Sequence, residues 1–333
     1  MIAVAVALVP VTMFLAILLV GDSFKLVPRV TLLRALAAGA IAAAVGLILH
    51  TWLLRSGFID LRALARLVAP VSEESLKAAC LIYLLRRGRI GFLVDGAIVG
   101  FTVGTGFALV ENVVYLQTLD SAPIWVWLAR GCGAAILHAA NAAIMAMSSK
   151  VLADRYPSAG LVVMIPGWMI AMAVHAVYNR ALVSPLLAAA FLVTVVPLVV
   201  MAVFERSEKM TREWVGDGLD LDVELLALIR SSHFGSTRLG RYLSELTARV
   251  PGPVVADMFC LLQLDLELSI RAKGMLMARE AGLEVPIDDD VRAKLAERAY
   301  LHRAIGATGL LALRPLQVTS DRDDWHRYLL RPD

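Results

Sequence analysis

Cysteine is scarce in this 333-residue chain, and over its first 203 residues so are acids and imidazoles. The three cysteines, Cys80, Cys132 and Cys260, lie far apart with no Cys-x-x-Cys spacing. That excludes a zinc knuckle and a disulfide framework and leaves them as expected packing residues. A formal net charge of +3 is too small to imply a nucleic-acid partner. No His-Glu-x-x-His pair is present, so the commonest helical zinc-protease signature is missing. From Met1 to Val203 glutamate occurs only at 73, 74 and 111, and histidine only at 50, 138 and 175.

What is abundant is apolar surface. Hydrophobic residues make up 59% of the chain and charged ones 18%, with a mean hydropathy of +0.72. Such a chain is too apolar for an ordinary soluble domain. Runs long enough to cross ~30 Å of hydrocarbon recur near 2–20, 31–54, 70–86, 91–117, 124–149, 160–180 and 183–203, then stop. The expected fold is therefore all-α: a polytopic bundle of about seven membrane spans over 1–204, and a small helical cytoplasmic domain over 205–333. The first run lacks a basic n-region and a small-x-small cleavage site, so it is expected to be a retained span.

Orientation is argued from the bases. With the N-terminus outside, Lys25, Arg29, Arg86, Arg87, Arg89, Lys150, Arg155, Arg206 and Lys209 fall on one side, which is then the cytoplasm. Arg55, Arg62, Arg66 and Arg180 fall on the other. Trp125 and Trp127, beside the base-free turn at 118–123, suit an interfacial belt.

Against this background the few polar groups inside the spans carry the information. Placing a charged side chain at mid-bilayer costs roughly 2.5–3.5 kcal/mol even on lenient scales, so such groups need partners or water and tend to mark function. Glu73, Glu74 and Lys77 place a lysine one helical turn from two acids, where it can offset both; an interfacial salt bridge is the plainer alternative. Gly96, Gly100 and Gly104 form a four-residue stripe continued by Phe107, Glu111 and Tyr115. A neighbouring backbone can approach such a stripe closely, which turns Glu111 toward protein. His138 shares a face with Asn141, and His175 with Asn179. His50, at a loop-facing span end, reads as ordinary boundary placement.

Three acids, one permanent cation and two imidazoles make a hydrolytic constellation that needs no serine or cysteine nucleophile. Neighbouring carboxylates in low dielectric share a proton, and a glutamate can act as general base on water. A histidine with an asparagine one turn away can donate to a developing oxyanion. The alternative is a catalytic zinc on Glu111, His138 and His175 with one open position. Metal-free chemistry is preferred, because the extra acids and amide exceed what a zinc site needs.

Glu73-Glu74-x-x-Lys77, Phe107-x-x-x-Glu111-x-x-x-Tyr115, His138 and His175-x-x-x-Asn179 resemble, in order and spacing, the motifs of the PrsW family of intramembrane proteases, relatives of the type II CAAX prenyl endopeptidases. The resemblance covers about residues 30 to 205. It implies a glutamate-dependent endopeptidase of the bacterial cytoplasmic membrane, cutting membrane-anchored substrates such as anti-sigma factors near the outer face. Glu73 and Glu74 match the paired acids, one of them the base. Glu111 matches the position where the CAAX enzymes have histidine, and His175 and Asn179 match the oxyanion donors.

After Arg206 the composition is mixed. A linker with Gly216 and Gly218 is expected to lead into an amphipathic helix beginning near Asp220 or Asp222. Further helices are expected from Pro251 to about Gly282 and after a cap at Asp288, Asp289 and Asp290. No catalytic or nucleotide-binding motif occurs there, so a regulatory module with a cytoplasmic protein partner is the expectation. Two other functions stay open: a proton-coupled transporter, since intramembrane acids with histidines also build proton relays, and a non-catalytic membrane scaffold.

Overall fold

A computed structural model describes residues 1–313 except 23, 25, 120 and 284, together with 328–330. Lys25 and the last part of 205–333 therefore lie outside the described residues. Among the described residues every regular element is helical. The chain divides into two compact units, Met1–Ser207 and Glu208–Asp333.

The first unit contains α1 (Ile2–Gly21), α2 (Arg29–Arg55), a single turn α3 (Leu61–Ala63), α4 (Ala69–Arg86), α5 (Leu93–Thr118), the short α6 (Ile124–Leu128), α7 (Ala135–Arg155) and α8 (Ile165–Asn179). It also holds the first part of α9 (Pro185–Arg230). All seven apolar stretches are thus helical. Six helices among the described residues are long and apolar enough to cross a membrane; the exception is α4, which carries Glu73, Glu74, Lys77 and Arg86. α5 starts where Asp95 Oδ2 accepts from the backbone N–H groups of Gly91 (3.0 Å) and Phe92 (2.8 Å), satisfying donors that a helix start leaves free.

α5 is the axis of the bundle, buried along most of its length. Its glycine stripe explains how. A Cβ on Gly100 would lie 2.6 Å from Ala143 Cα, and one on Gly104 would lie 2.3 Å from the His138 carbonyl oxygen. Only glycine lets α7 come this close, which brings His138 against the Glu111 end of α5. Asn141 Nδ2 donates to the Ala171 carbonyl (3.1 Å) and ties α7 to α8. Asn141, expected on the same face as His138, does not line the cavity described below. Trp125 is half exposed, whereas Trp127 is buried and belongs to the core rather than to an interfacial belt.

Two π turns interrupt the helices beside the site, Leu64–Val68 before α4 and Ala129–Ala134 between α6 and α7. A π turn shifts the hydrogen-bond ladder by one residue and leaves a carbonyl to be satisfied from elsewhere. Consecutive residues of α8 do so: Tyr178 Oη donates to the Ala129 carbonyl (3.2 Å) and Asn179 Nδ2 to the Ala65 carbonyl (2.9 Å).

The second unit contains the rest of α9, α10 (Arg238–Leu246), α11 (Gly252–Glu280) and α12 (Asp289–Leu313), the last interrupted at Gly306. The linker expected at Gly216 and Gly218 is instead helical. At Gly218 a Cβ would stand 2.8 Å from Lys273 Nζ, so the missing side chain makes room for a buried ion pair, Lys273 Nζ to Asp222 Oδ2 at 2.6 Å. Cys260, expected to pack, is exposed.

Candidate active site

The polar residues of the first unit meet in one connected cluster. Arg130 Nη2 lies 3.2 Å from Glu111 Oε1; Glu111 Oε2 is 2.9 Å from His138 Nε2; His138 Nδ1 is 3.0 Å from Lys77 Nζ. Lys77 Nζ donates to Glu74 Oε1 at 2.7 Å, and the same oxygen is 2.8 Å from His175 Nδ1. Five elements contribute, so residues from 74 to 175 are brought together by packing alone.

A lysine ammonium only donates and a carboxylate only accepts, and together these set the direction of the bonds made by the two imidazoles. His138 Nδ1 accepts from Lys77, so its Nε2–H donates to Glu111. His175 gives its Nδ1–H to Glu74, and in the neutral imidazole Nε2 is then the lone-pair side. That lone pair faces Glu73 Oε2 at 3.9 Å. The other oxygen of Glu73 lies 3.8 Å from His50 Nδ1, and His50 Nε2 is 2.7 Å from Ser72 Oγ.

The two neighbouring glutamates are thus in different situations. Glu74 and Lys77 are fully buried (0%) and paired to each other. Glu73 makes no hydrogen bond to Lys77, so of the two acids only Glu74 is directly paired with the lysine. Adjacent residues point about 100° apart around a helix, so Glu74 reaches the lysine and the Nδ1 edge of His175 while Glu73 faces the Nε2 edge of the same ring. Glu73 Oε2 is buried without a hydrogen-bond partner. It lines a cavity of about 430 Å³ together with His50, Glu111, Arg130, His138 and His175.

Of the residues expected from the sequence, Glu73, Glu74, Lys77, Glu111, His138, His175 and Asn179 do come together. Phe107 packs on His138 with ring centroids 5.0 Å apart and lies under Lys77 Nζ at 4.7 Å. Tyr115 carries the Arg130 guanidinium over its ring at 3.5 Å. Two members escaped the sequence reading. His50 was set aside as a boundary residue but lines the cavity. Arg130 adds a second cation to the one expected; Arg130 Nε donates to Asn112 Oδ1 (3.0 Å), and Asn112 Nδ2 donates to the Ala7 carbonyl (2.7 Å). A signal for Arg130 was present: it is an arginine inside an apolar stretch of 124–149, and intramembrane cations need partners as acids do.

Glu73, His138 and His175 form the group among the described residues that could hold a metal ion, with donor atoms all within 4.8 Å of one another. This differs from the expected set, because Glu111 is turned away to Arg130 and His138, and Glu73 takes its place. Two imidazoles and a carboxylate suit a zinc-like ion in kind. The hydrogen bonding fits less well. His175 Nε2 and Glu73 Oε2 are free, but both nitrogens of His138 are engaged, by Lys77 and by Glu111.

The chain was also compared with known proteins. A family model described as PrsW family intramembrane metalloprotease matches residues 27–204, a stretch that contains every residue of this cluster. Neither the curated proteins nor the solved structures gave a match. With more than half of its length matched, and with an apolar helical bundle that buries a cluster of acids and histidines, the chain belongs to the PrsW family of intramembrane proteases.

Proposed function

We propose that the cavity hydrolyses a peptide bond of a membrane-anchored protein, an anti-sigma factor being the type of substrate the family resemblance suggests, with Glu73 as the general base. The observation that carries this reading is the unpartnered Glu73 Oε2 facing the lone pair of His175 Nε2 across 3.9 Å. Two acceptors at that separation suit one water molecule donating a hydrogen bond to each. Its oxygen lone pair is then directed at a third group, the substrate carbonyl carbon.

Attack forms the new C–O bond while Glu73 takes one proton from the water. The carboxylic acid so formed gives that proton to the departing amine as the C–N bond breaks, and the second water proton leaves with the product acid. The oxyanion needs a donor. Asn179 uses one amide hydrogen on the Ala65 carbonyl and has a second to offer. His175 Nε2 is an acceptor in this arrangement and becomes a donor only on taking a proton. Arg130, Glu111, Lys77 and Glu74 are positioning residues: two cations and two anions in alternation that fix the tautomers of His138 and His175.

A bound zinc-like ion on Glu73, His138 and His175 would supply Lewis acidity at the same point. The family's description as metalloproteases makes this the second reading, and it requires His138 to release either Lys77 or Glu111.

The test is to incubate membranes with purified wild-type protein and with Glu73→Gln, and to sequence the new peptide N-termini. New termini in single-span proteins that are absent with the variant support the proposal. Equal sets of termini from both proteins would remove Glu73 as the base. No new termini from either would return the intramembrane acids to proton transport.

A further inference from the structure

Beside the polar cavity lies a second, larger and almost wholly apolar one of about 710 Å³. It is formed by the end of α8, the turn at 180–184 and the start of α9, with Val177, Leu182, Leu187 and Phe191 on its walls. Leu137, Tyr178 and Asn179 line both cavities. We propose that this groove receives the apolar residues of a membrane-anchored substrate next to its scissile bond, so that the chain enters sideways from the lipid between α8 and α9. The proposal rests on the protease reading of the polar cavity and adds the route and the side-chain class that this cavity lacks.

Three observations carry it. The groove opens where side chains are exposed: Leu182 is 72%, Leu187 66% and Phe191 63% accessible. In a bilayer these positions face acyl chains, so the occupant must arrive through hydrocarbon. Next, only 6% of the apolar window of α9 is buried, which leaves that helix little packing to hold it against α8. Finally, the groove is continuous with the polar cavity through a shared wall that carries the Asn179 amide. Exposed peptide N–H and C=O groups need partners when they leave water, and the polar cavity next to the groove supplies such groups. A lipid acyl chain fits the apolar half alone, whereas a peptide has apolar side chains for the groove and a backbone for the polar lining beyond it, which favours a peptide.

Tyr178 is held as a fixed partition. Its hydroxyl donates to the Ala129 carbonyl, and it lies on Gly133, where a Cβ would stand 2.4 Å from the Tyr178 oxygen. The wall between the cavities therefore has a set position, and the distance between groove and base is set with it. Apolar residues beside the scissile bond should be accepted and a carboxylate rejected, since among the described residues no cation lines the groove.

The experiment uses the full chain carrying Glu73→Gln, to keep substrate intact, with Phe191 replaced by photoreactive benzoylphenylalanine. It is reconstituted in phosphatidylcholine and phosphatidylglycerol vesicles with synthetic single-span leucine-rich peptides that carry polar extensions. Irradiation should attach a peptide at position 191, and the adduct should fall about tenfold or more with Ala188→Trp, which fills the groove, and with Leu182→Trp, which fills it from the opposite rim. Two tryptophan variants guard against one of them failing to fold. Adducts with lipid alone, or peptide adducts untouched by both variants, would overturn the proposal. A peptide adduct with a wild-type protein that cuts nothing would instead leave the groove as a docking site and remove the protease reading, so the two failures are distinguishable.

Discussion

The sharpest consequence of the cluster is that two adjacent glutamates should behave oppositely on conversion to glutamine. Glu74 accepts from Lys77 at 2.7 Å and from His175 at 2.8 Å, and both Glu74 and Lys77 are fully buried. Glutamine there removes the anion and leaves the ammonium in the bundle beside uncharged partners, the new amide oxygen, the His138 ring and the Phe107 face. Breaking one side of a buried ion pair costs about 3–5 kcal/mol, a large part of the 5–15 kcal/mol typical of a folded domain. Glu73 offers no such bond to lose: its Oε2 has no partner, and its Oε1 is 3.8 Å from His50. Glu73→Gln conserves volume, so its effect on stability should stay within about 1 kcal/mol. Its effect on rate should be the loss of a general base, about 10²–10⁴-fold. Thermal unfolding and cleavage in the same vesicles read both quantities. Expected are a wild-type melting profile with lost cleavage for Glu73→Gln, and a lowered melting profile for Glu74→Gln. A Glu74→Gln protein as stable as wild type, or a Glu73→Gln protein that cleaves at full rate, would refute the assignment.

Other outcomes follow from the same contacts. Arg130→Gln removes the cation from Glu111, and cleavage should fall at least about tenfold; Arg130→Lys should not restore it, since a lysine cannot reproduce the guanidinium's simultaneous contacts with Glu111, Asn112 and the Tyr115 face. Gly104→Ala places a Cβ 2.3 Å from the His138 carbonyl oxygen, so α7 must move; melting and cleavage should drop together, whereas Gly216→Ala, with open space around it, should leave both unchanged. A chelator should leave cleavage intact if Glu73 acts on water directly, and elemental analysis of the purified protein reports a bound ion independently. In the second unit, burial alone would raise the Glu267 pKa, but hydrogen bonds from Gln263, Lys294 and Arg230 outweigh it and the net shift is downward. A depressed carboxyl contributes stability above its unfolded pKa and loses it as pH falls through the folded value. Acid titration of unfolding should therefore show a shallower loss in Glu267→Gln than in wild type.

Much of the architecture was legible from local composition. Every apolar run became a helix, because the cost of leaving peptide groups unpaired in hydrocarbon depends on the stretch itself and hardly on its neighbours. The same locality made Glu73, Glu74, Glu111, His138 and His175 stand out, since each is expensive in an apolar run wherever the run packs. Gly100 and Gly104 announced a close helix contact because a missing Cβ is a property of the residue.

What the sequence could not contain was the pairing. Lys77 stands three residues from Glu74 and four from Glu73, and helix geometry permits either bond; the approach of His138 on α7 and His175 on α8 decided for Glu74. His50 looked like a boundary residue because its partner Ser72 is 22 positions away and on another helix. Arg130 entered the site through contacts with Glu111 and Asn112, 19 and 18 residues earlier, and Asn179 was drawn to a carbonyl freed by a π turn that no hydropathy pattern marks. Residue chemistry and the apolar character of a stretch are local quantities that the chain itself carries. Which acid keeps a free oxygen depends on how five elements pack, and only the tertiary structure decided that.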